Sequence, residues 1–287
     1  MKMRKIYTLL LTFFILVIAL NYSYSQTTGP ESGSLLIIGG AANDNIFIPI
    51  FRDLAGGDNA EIVIIPTARD DKSLSKDPDY TELISRFSRF NFKKITVLHT
   101  RSTNEANSME FVKALNTATG VWFQGGRQWR LADSYLNTLT HLELFGILHR
   151  NGVIAGTSAG ATIQGSYLAR GDTKSNLIMM GDHEEGLSLI KNIAIDQHLL
   201  ARNRQFDMFE ILSAKPELLG LGLDENTGII VHQNKIEVVG EHYITIYDGT
   251  MWSEESNSNI QLKPNQNQFY FLKPGNKYDI NLRKVIK

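Results

Sequence analysis

A serine set among small residues is the first candidate for chemistry in this sequence. Ser158 lies in GTSAGA, after an apolar run from Gly152 that is typical of a buried strand. Residues Gly156 to Gly160 fit G-x-S-x-G, the nucleophile-elbow pattern, in which a sharp strand-to-helix turn exposes the hydroxyl, and the following stretch TIQGSYLA is predicted to be helical. The N–H of Ala159 would then stabilise an oxyanion. The alternative is a helix start that uses small residues only for packing, so a partner base must decide.

One of the seven histidines stands where such a base is needed. His198 follows the apolar run NIAI, and its polar neighbours Asp196 and Gln197 end the predicted strand. Ligands of open α/β sheets bind beyond the carboxyl ends of the strands, and Ser158 is expected at the same edge. We therefore predict that His198 and Ser158 lie close together.

Charged residues beyond His198 could complete a site. A helix is predicted directly after it, and Arg202 and Arg204 on the next turn suit a ligand that carries a carboxylate. A carboxylate is also needed to fix the histidine tautomer, and Asp224 and Glu225 both follow the glycine-rich strand LLGLGL. The chain order of serine, histidine and acid argues against the α/β-hydrolases, which run serine, acid, histidine.

A pair of glycines in WFQGGRQWRL is a further candidate. Gly125 and Gly126 follow a predicted strand and open a helix, where backbone N–H groups can approach a ligand closely. They could supply a second oxyanion donor, and Gln128 could orient the substrate. A tight turn between strand and helix, with no further role, is the alternative.

The elements that must position these residues follow from the apolar pattern. Strand-like runs begin at Ser34, Glu61, Lys94, Gly120 and Gly152. Helical spacing predicts helices over 79–92 and 104–118, the second capped by Asn104. This alternation predicts a doubly wound, mostly parallel α/β sheet, and the strands past Gly228 add antiparallel structure. We expect one domain over 34–287, preceded by an exposed linker over 26–33.

Composition excludes several classes of function. The 287 residues carry 29 basic and 30 acidic side chains, so the strongly basic face of a nucleic-acid-binding protein is not expected. The chain has no cysteine, which excludes a thiol nucleophile and a cysteine-ligated metal site. The acidic cluster GDHEEG at 181–186 lacks the histidine spacing of a zincin and is better interpreted as a solvated loop. We expect neither a metal ion nor a cofactor.

The N-terminus has the layout of a secretory signal peptide. A basic start is followed by an apolar stretch from Ile6 to Leu20 and a polar end, which predicts a signal peptide over 1–25. The apolar stretch is shorter than the roughly 20 residues that a spanning helix needs, so a retained membrane anchor is the less favoured alternative. The mature chain is thus expected to be extracytoplasmic, either periplasmic or secreted, without a stable membrane anchor.

Taken together, the motifs resemble the cyanophycinase-like serine peptidases, relatives of bacterial α-aspartyl dipeptidase. The resemblance runs from about Ser34 to the end and implies a class I glutamine-amidotransferase-like (flavodoxin-like) sheet. The matching stretches are LLIIGGAAND, WFQGGRQWRL, GTSAGA, IDQHLLARNR, GLGLDENTGIIV and FYFLKPGNKYDINLRKV. It implies a triad of Ser158, His198 and Glu225, oxyanion donors at Gly126 and Ala159, and substrate contacts by Gln128, Asp196, Gln197, Arg202 and Arg204.

The resemblance also implies a substrate. Cyanophycinases cut cyanophycin, a poly-aspartate chain with arginine on each β-carboxyl, into β-Asp-Arg dipeptides through an acyl-enzyme. This chain departs from the pattern twice, with Arg127 in place of an acid and Asp207 in place of a third arginine. Both departures reverse a charge, and we expect the two side chains to pair. An aspartyl or isoaspartyl dipeptidase and a non-catalytic extracytoplasmic binding protein stay open as alternatives, as does a homodimer.

Overall fold

A computed structural model describes residues 27–255, 259–261 and 268–286. The predicted signal peptide over 1–25 lies outside these ranges, within which no helix is long and apolar enough to cross a bilayer. The strands are β1 Ser34–Ile38, β2 Glu61–Ile65, β3 Lys94–Val97, β4 Gly120–Phe123, β5 Val153–Thr157, β6 Ile193–Gln197, β7 Leu219–Leu223, β8 Thr227–His232, β9 Lys235–Gly240, β10 Ile244–Tyr247, β11 Thr250–Trp252, β12 Asn259–Gln261, β13 Tyr270–Leu272, β14 Lys277–Asp279 and β15 Lys284–Ile286. The α-helices are α1 Asp44–Leu54, α2 Asp71–Leu74, α3 Thr81–Ser88, α4 Thr103–Ala106, α5 Met109–Val112, α6 Gln128–Tyr135, α7 Leu139–His149, α8 Ala159–Thr162 and α9 Met208–Ala214, and a 3-10 turn covers Gly57–Asn59.

A nine-stranded sheet forms the centre, in the order β15-β14-β9-β8-β1-β5-β4-β2-β3. The five strands from β1 to β3 in that order pair in parallel, and β8, β9, β14 and β15 extend the sheet in antiparallel fashion. The predicted doubly wound α/β sheet with C-terminal antiparallel strands is therefore confirmed.

A second sheet carries the later part of the predicted site. Its four strands run in the order β13-β10-β7-β6, with β6 and β7 parallel. His198 directly follows β6, and Asp224 and Glu225 directly follow β7. His198 and the two candidate acids thus follow strands of a different sheet than Ser158, which directly follows β5 of the central sheet.

Alternation along the central strands builds two separate cores. In β1, Leu36 and Ile38 are buried in the core that contains α1 and α3. Their neighbours Leu35 and Ile37 are buried in the opposite core, which contains helices α6 and α7 and the second sheet. Because successive side chains of a strand face opposite sides, an entirely apolar strand can fill both cores. Ser158 therefore lies at the carboxyl ends of the parallel strands, between two cores of different composition.

Two expectations about local structure are wrong. The residues expected as an exposed linker pack on the domain instead, because Thr28 pairs with Lys191 through backbone hydrogen bonds and Thr27 is buried. The single helix predicted over 104–118 is two short helices, α4 and α5. The Ser108 hydroxyl accepts a hydrogen bond from the Phe111 N–H and so begins a new helix, which leaves Met109 70% exposed.

Candidate active site

Ser158 occupies a strained turn between β5 and α8. Its φ of 57° and ψ of −114° lie in a region that residues other than glycine rarely adopt. A Cβ atom at Gly156 would overlap the Gly160 carbonyl, and one at Gly160 would overlap Phe123. The small neighbours are therefore required by the turn, as the nucleophile-elbow pattern predicts.

The helix after Ser158 is much shorter than expected. It ends at Thr162, whereas the sequence predicts helix through TIQGSYLA. The Ser166 hydroxyl accepts a hydrogen bond from the Ile193 N–H at 3.0 Å, and the Tyr167 N–H donates to the Ile193 carbonyl at 3.0 Å. These bonds draw the chain against β6, so the backbone pairs with a strand in place of continuing a helix.

His198 connects the serine to an acid. Its Nε2 lies 2.9 Å from the Ser158 Oγ, and its Nδ1 lies 2.6 Å from Glu225 Oε1. Neutral imidazole has one N–H donor and one acceptor nitrogen, so a proton on Nδ1 toward the carboxylate leaves Nε2 free to accept the serine proton. The structure thus brings together the three residues that the resemblance assigns to a triad.

The segment after β1 holds all three parts in register. Three consecutive carbonyl groups, those of residues 38–40, accept one hydrogen bond each. The donors are the N–H groups of Ser158, His198 and Asn226, at 2.9, 2.9 and 2.8 Å. Gly40 has φ of 134°, and a Cβ atom there would overlap the His198 ring. Sequence reasoning missed this positioning role, although two glycines directly after a strand could have signalled it.

The structure distinguishes the two candidate acids. Glu225 faces His198, whereas the buried Asp224 accepts hydrogen bonds through Oδ1 from the N–H groups of Leu200 and Ala201, at 3.0 and 2.9 Å. These bonds stabilise a turn directly after His198, where the sequence predicts a helix. The first helix of this stretch begins only at Met208, so the helical expectation is wrong.

The pKa of His198 is lowered. Burial lowers it most, the hydrogen bond to Glu225 opposes that effect, and the charges of Arg202 and Arg204 lower it further. The ring is therefore neutral at neutral pH, the state in which it can accept a proton from a hydroxyl.

One predicted oxyanion donor follows the serine in the chain, and the other follows a glycine that packs near the serine. Ala159 follows Ser158 directly, and a Cβ atom at Gly125, the residue before Gly126, would lie 3.7 Å from the Ser158 Oγ. Across the described residues, neither the Gly126 N–H nor the Ala159 N–H donates a backbone hydrogen bond. Both amides are thus free to bind an oxygen next to Ser158.

Two predicted substrate contacts are buried amides with different surroundings. Gln128 donates through Nε2 to the carbonyls of Ala169 and Arg170, at 2.7 and 2.9 Å. Gln197 is also buried, and its Oε1 finds no hydrogen-bond partner among the described residues. Gln128 therefore supports the backbone around Arg170, while Gln197 keeps one free acceptor.

Asp196 is also predicted to contact substrate, but its carboxylate is already paired. It is fully buried and accepts two hydrogen bonds from Arg170, each 2.8 Å long. Asp207 accepts a third bond from the same guanidinium at 2.6 Å. The expected pairing of Arg127 with Asp207 is therefore wrong. Arg127 donates instead to the Asp172 carbonyl, because Arg170 supplies the cation that Asp207 needs.

The two predicted arginine contacts differ in burial. Arg202 is exposed, whereas Arg204 is only 4% exposed and donates to the Gln197 carbonyl at 3.1 Å. No carboxylate among the described residues lies within salt-bridge distance of Arg204. Burial and the neighbouring Arg170 lower the pKa of Arg204, while the charges of Asp196 and Asp207 oppose that effect. A buried cation that makes no direct salt bridge favours an anionic ligand.

A cleft of about 600 Å³ opens beside the serine on the face that carries α1 and α3. Its lining includes Gly125, which packs near Ser158, and charged residues of both signs, namely Arg69, Arg86, Arg89, Asp77 and Glu82. A volume of this size accommodates a short peptide. No sequence pattern indicates this cleft, since its walls come from segments far apart in the chain.

The acidic cluster at 181–186 forms a hydrogen-bonded bridge. His183 binds Asp182 at 2.9 Å through Nδ1 and Asp133 of α6 at 2.8 Å through Nε2. Burial lowers the pKa of His183, but the bonds to the two carboxylates outweigh burial, so the pKa is raised. The histidine is thus used to connect its loop to α6.

Comparison with known proteins finds relatives over most of the chain. The family described as Peptidase family S51 matches residues 35–239. A cyanophycinase of Geminocystis herdmanii (strain PCC 6308) is 30% identical over 234 residues, which cover 79% of this chain and 85% of the relative. A cyanophycinase of Nostoc sp. (strain PCC 7120) is 27% identical over 277 residues, covering 91% and 90% of the two chains.

Solved structures share the fold at lower identity. A crystal structure of a peptidase from an acI-B1 Actinobacterium aligns with a TM-score of 0.61 at 21% identity, covering 88% of this chain and 98% of that one. A putative peptidase E protein from Listeria monocytogenes EGD-e aligns with a TM-score of 0.53 at 14% identity, covering 74% and 100%. These two likenesses concern the arrangement of strands and helices.

Proposed function

Since the chain belongs to peptidase family S51 and is a serine-type peptidase, we propose that Ser158, His198 and Glu225 are its catalytic triad. The observation that carries the proposal is the unbroken connection from Ser158 Oγ through the imidazole to the Glu225 carboxylate, at 2.9 and 2.6 Å. Family membership also argues against the alternative of a non-catalytic binding protein.

The geometry supports a two-step acyl transfer. His198 takes the Ser158 proton on Nε2 as the Ser158 oxygen attacks the scissile carbonyl, and Glu225 stabilises the resulting imidazolium. The N–H groups of Gly126 and Ala159 hold the oxyanion. The same Nε2 proton then passes to the leaving amine, whose bond to the carbonyl carbon breaks. A water molecule, deprotonated by His198, hydrolyses the acyl-enzyme and restores the serine.

The substrate we propose is an Asp-rich peptide. The relatives carry the name cyanophycinase, and the buried, unpaired Arg204 supports binding of a substrate carboxylate. Secretion is part of the proposal, since the basic and apolar layout of 1–25 has the pattern of a cleaved signal peptide. The peptidase would then act outside the cytoplasm.

A dipeptidase that acts on aspartyl or isoaspartyl peptides is the second candidate. It is favoured by the pairing of Asp196 and Asp207 with Arg170, because no carboxylate is left at that position for the arginine of a β-Asp-Arg unit. Arg204 nevertheless offers a partner to an aspartate side chain or to a free C-terminal carboxylate.

Mass spectrometry of products tests these alternatives. The purified chain is incubated with cyanophycin, β-Asp-Arg and a set of Asp-Xaa dipeptides, and Ser158→Ala is the matched inactive control. Release of β-Asp-Arg from the polymer supports the cyanophycinase activity, whereas cleavage of dipeptides alone supports the second candidate. Equal turnover by Ser158→Ala would contradict the triad.

A further inference from the structure

Arg170 is a buried arginine whose guanidinium lies on two carboxylates close to the catalytic histidine. It is 1% exposed, and its Nε and Nη2 donate to the two oxygens of Asp196 at 2.8 Å each. Nη2 also donates to Asp207 at 2.6 Å. Burial alone would lower the pKa of Arg170, but the bonds to both carboxylates raise it above its ordinary value. This cation is permanent.

The backbone fixes the side chain in this position. Arg170 has φ of 58°, a left-handed conformation that a residue with a long side chain rarely adopts. Gln128 donates to the carbonyls of Ala169 and Arg170, and Arg170 Nη1 donates to the Asn176 carbonyl at 3.2 Å. Hydrogen bonds therefore hold both the backbone and the guanidinium group of Arg170 in place.

The other carboxylates around His198 are engaged as well. Glu225 binds the His198 ring, and Asp224 stabilises the turn that follows it. Once Arg170 has taken Asp196 and Asp207, no free carboxylate is left beside the base among the described residues. The neighbouring buried cation of Arg204 makes no direct salt bridge among the described residues, and it feels Asp196 and Asp207 only at longer range.

We infer that Arg170 is a specificity-determining residue, an internal guanidinium that occupies the position where a cationic substrate group would bind and so selects substrates by their carboxylate. The location next to the scissile bond rests on the proposed function. Asp207 is 39% exposed, so a small solute can reach this position when the arginine side chain is absent. Removal of Arg170 then creates a guanidinium site, because the fully buried Asp196 and its neighbour Asp207 have lost their counter-ion.

The first test measures binding, so that it does not depend on activity. Arg170→Ala in the Ser158→Ala background is titrated with methylguanidinium, and the melting temperature is recorded. Without ligand we expect a fall of roughly 10 °C, since a buried ion pair has lost one partner. Methylguanidinium should recover at least half of this loss, whereas the neutral isostere N-methylurea should not.

A matched variant shows whether the recovery is specific. Arg150 is an exposed arginine that directly follows α7 and donates to the Leu115 carbonyl at 2.8 Å, and it has no carboxylate within salt-bridge distance among the described residues. Methylguanidinium should leave the melting temperature of Arg150→Ala unchanged. Equal recovery in both variants, or none in Arg170→Ala, would overturn the inference even if Ser158 is the nucleophile.

The second test measures specificity in the active enzyme. The ratio of kcat/KM for β-Asp-Arg to kcat/KM for an Asp-Xaa dipeptide should rise at least tenfold in Arg170→Ala. A merely structural role would lower both values together and leave their ratio unchanged, which would overturn the inference. An inactive wild type would contradict the proposed function but not the binding result.

A conservative variant covers the case in which Arg170→Ala does not fold. Arg170→Lys keeps the charge but loses the planar fork that binds both carboxylates at once. Methylguanidinium should raise the melting temperature of this variant by more than that of wild type and by less than that of Arg170→Ala. If Arg170→Lys folds and methylguanidinium has no effect on its melting temperature, the inference is wrong.

Discussion

Two histidines of this molecule each bind two partners, yet their environments lead to opposite properties. His198 lies between a serine hydroxyl and one carboxylate in a buried position beside two arginines, and its pKa is lowered. His183 lies between two carboxylates nearer the surface, and its pKa is raised. The first ring is thereby favoured in its neutral form, which can accept a proton, and the second is favoured in its protonated form.

The comparison shows that hydrogen-bond partners alone do not identify a catalytic base. Both rings are within 3 Å of an acidic group, so that contact has no diagnostic value by itself. The difference comes from burial, which disfavours the charged form, and from the number of carboxylates that favour it. The position of His198 in the fold adds to this difference, because His198 follows a strand whose end faces Ser158.

The largest expected effect separates the two rings by activity. His198→Gln should lower kcat by roughly 10⁴- to 10⁶-fold, because the base that takes the Ser158 proton is lost. His183→Gln should change kcat by less than about twofold, since the ring only connects a loop to α6. Steady-state hydrolysis of the best peptide from the product panel checks both. A comparable loss in the two variants would contradict the distinction.

The next effect concerns the acid that sets His198 apart. Glu225→Gln should lower kcat by roughly 10³- to 10⁴-fold, because the imidazolium loses its counter-charge and its tautomer is no longer fixed. Asp224→Asn is the matched control, since the amide oxygen can still accept the bonds from Leu200 and Ala201. A greater loss of kcat in Asp224→Asn than in Glu225→Gln would contradict the assignment of Glu225 as the acid.

A smaller effect should be visible in the pH dependence. Activity requires neutral His198, so kcat/KM should rise with pH along a limb centred below the ordinary histidine pKa of about 6.5. Arg202→Gln removes a charge that lowers the pKa of His198, and the limb should move to higher pH. High salt should weaken the difference, because Arg202 is exposed. An unchanged limb at low salt would exclude this contribution.

The smallest effect concerns the stability that His183 provides. Its folded-state pKa is raised, so its contribution is complete below the unfolded pKa of about 6.5 and is lost as pH rises through the folded value. Wild type should therefore exceed His183→Gln in free energy of unfolding at pH 5, by less than about 1 kcal/mol for so exposed a pair. Urea denaturation at several pH values measures it. An advantage that grows with pH would show the wrong sign.

Much of the sheet, and the strand ends that carry the proposed triad, could be predicted from sequence because the signals are local. A short apolar run followed by a polar residue marks a strand end, and Ser158, His198 and Glu225 all stand at such ends. The assignment of β6 and β7 to a second sheet could not be predicted, since the pairing of strands depends on contacts distant in sequence.

The surroundings of the substrate could be predicted less well. The compensation of Asp207 by Arg170 joins residues 37 positions apart through a left-handed backbone conformation that no spacing rule indicates. Likewise, the helices expected after Ser158 and His198 fail because side-chain and strand pairing capture the backbone N–H groups first. Local propensity is overridden where tertiary hydrogen bonds compete for the same groups.

The most direct test of the central claim is labelling with a fluorophosphonate probe, followed by peptide mapping. The triad predicts a single adduct on Ser158, a labelling rate that rises with pH along the limb set by His198, and almost no labelling of His198→Gln, while His183→Gln reacts like wild type. An adduct on another serine, or equal labelling of His198→Gln and wild type, would contradict the assignment of Ser158 as the activated nucleophile.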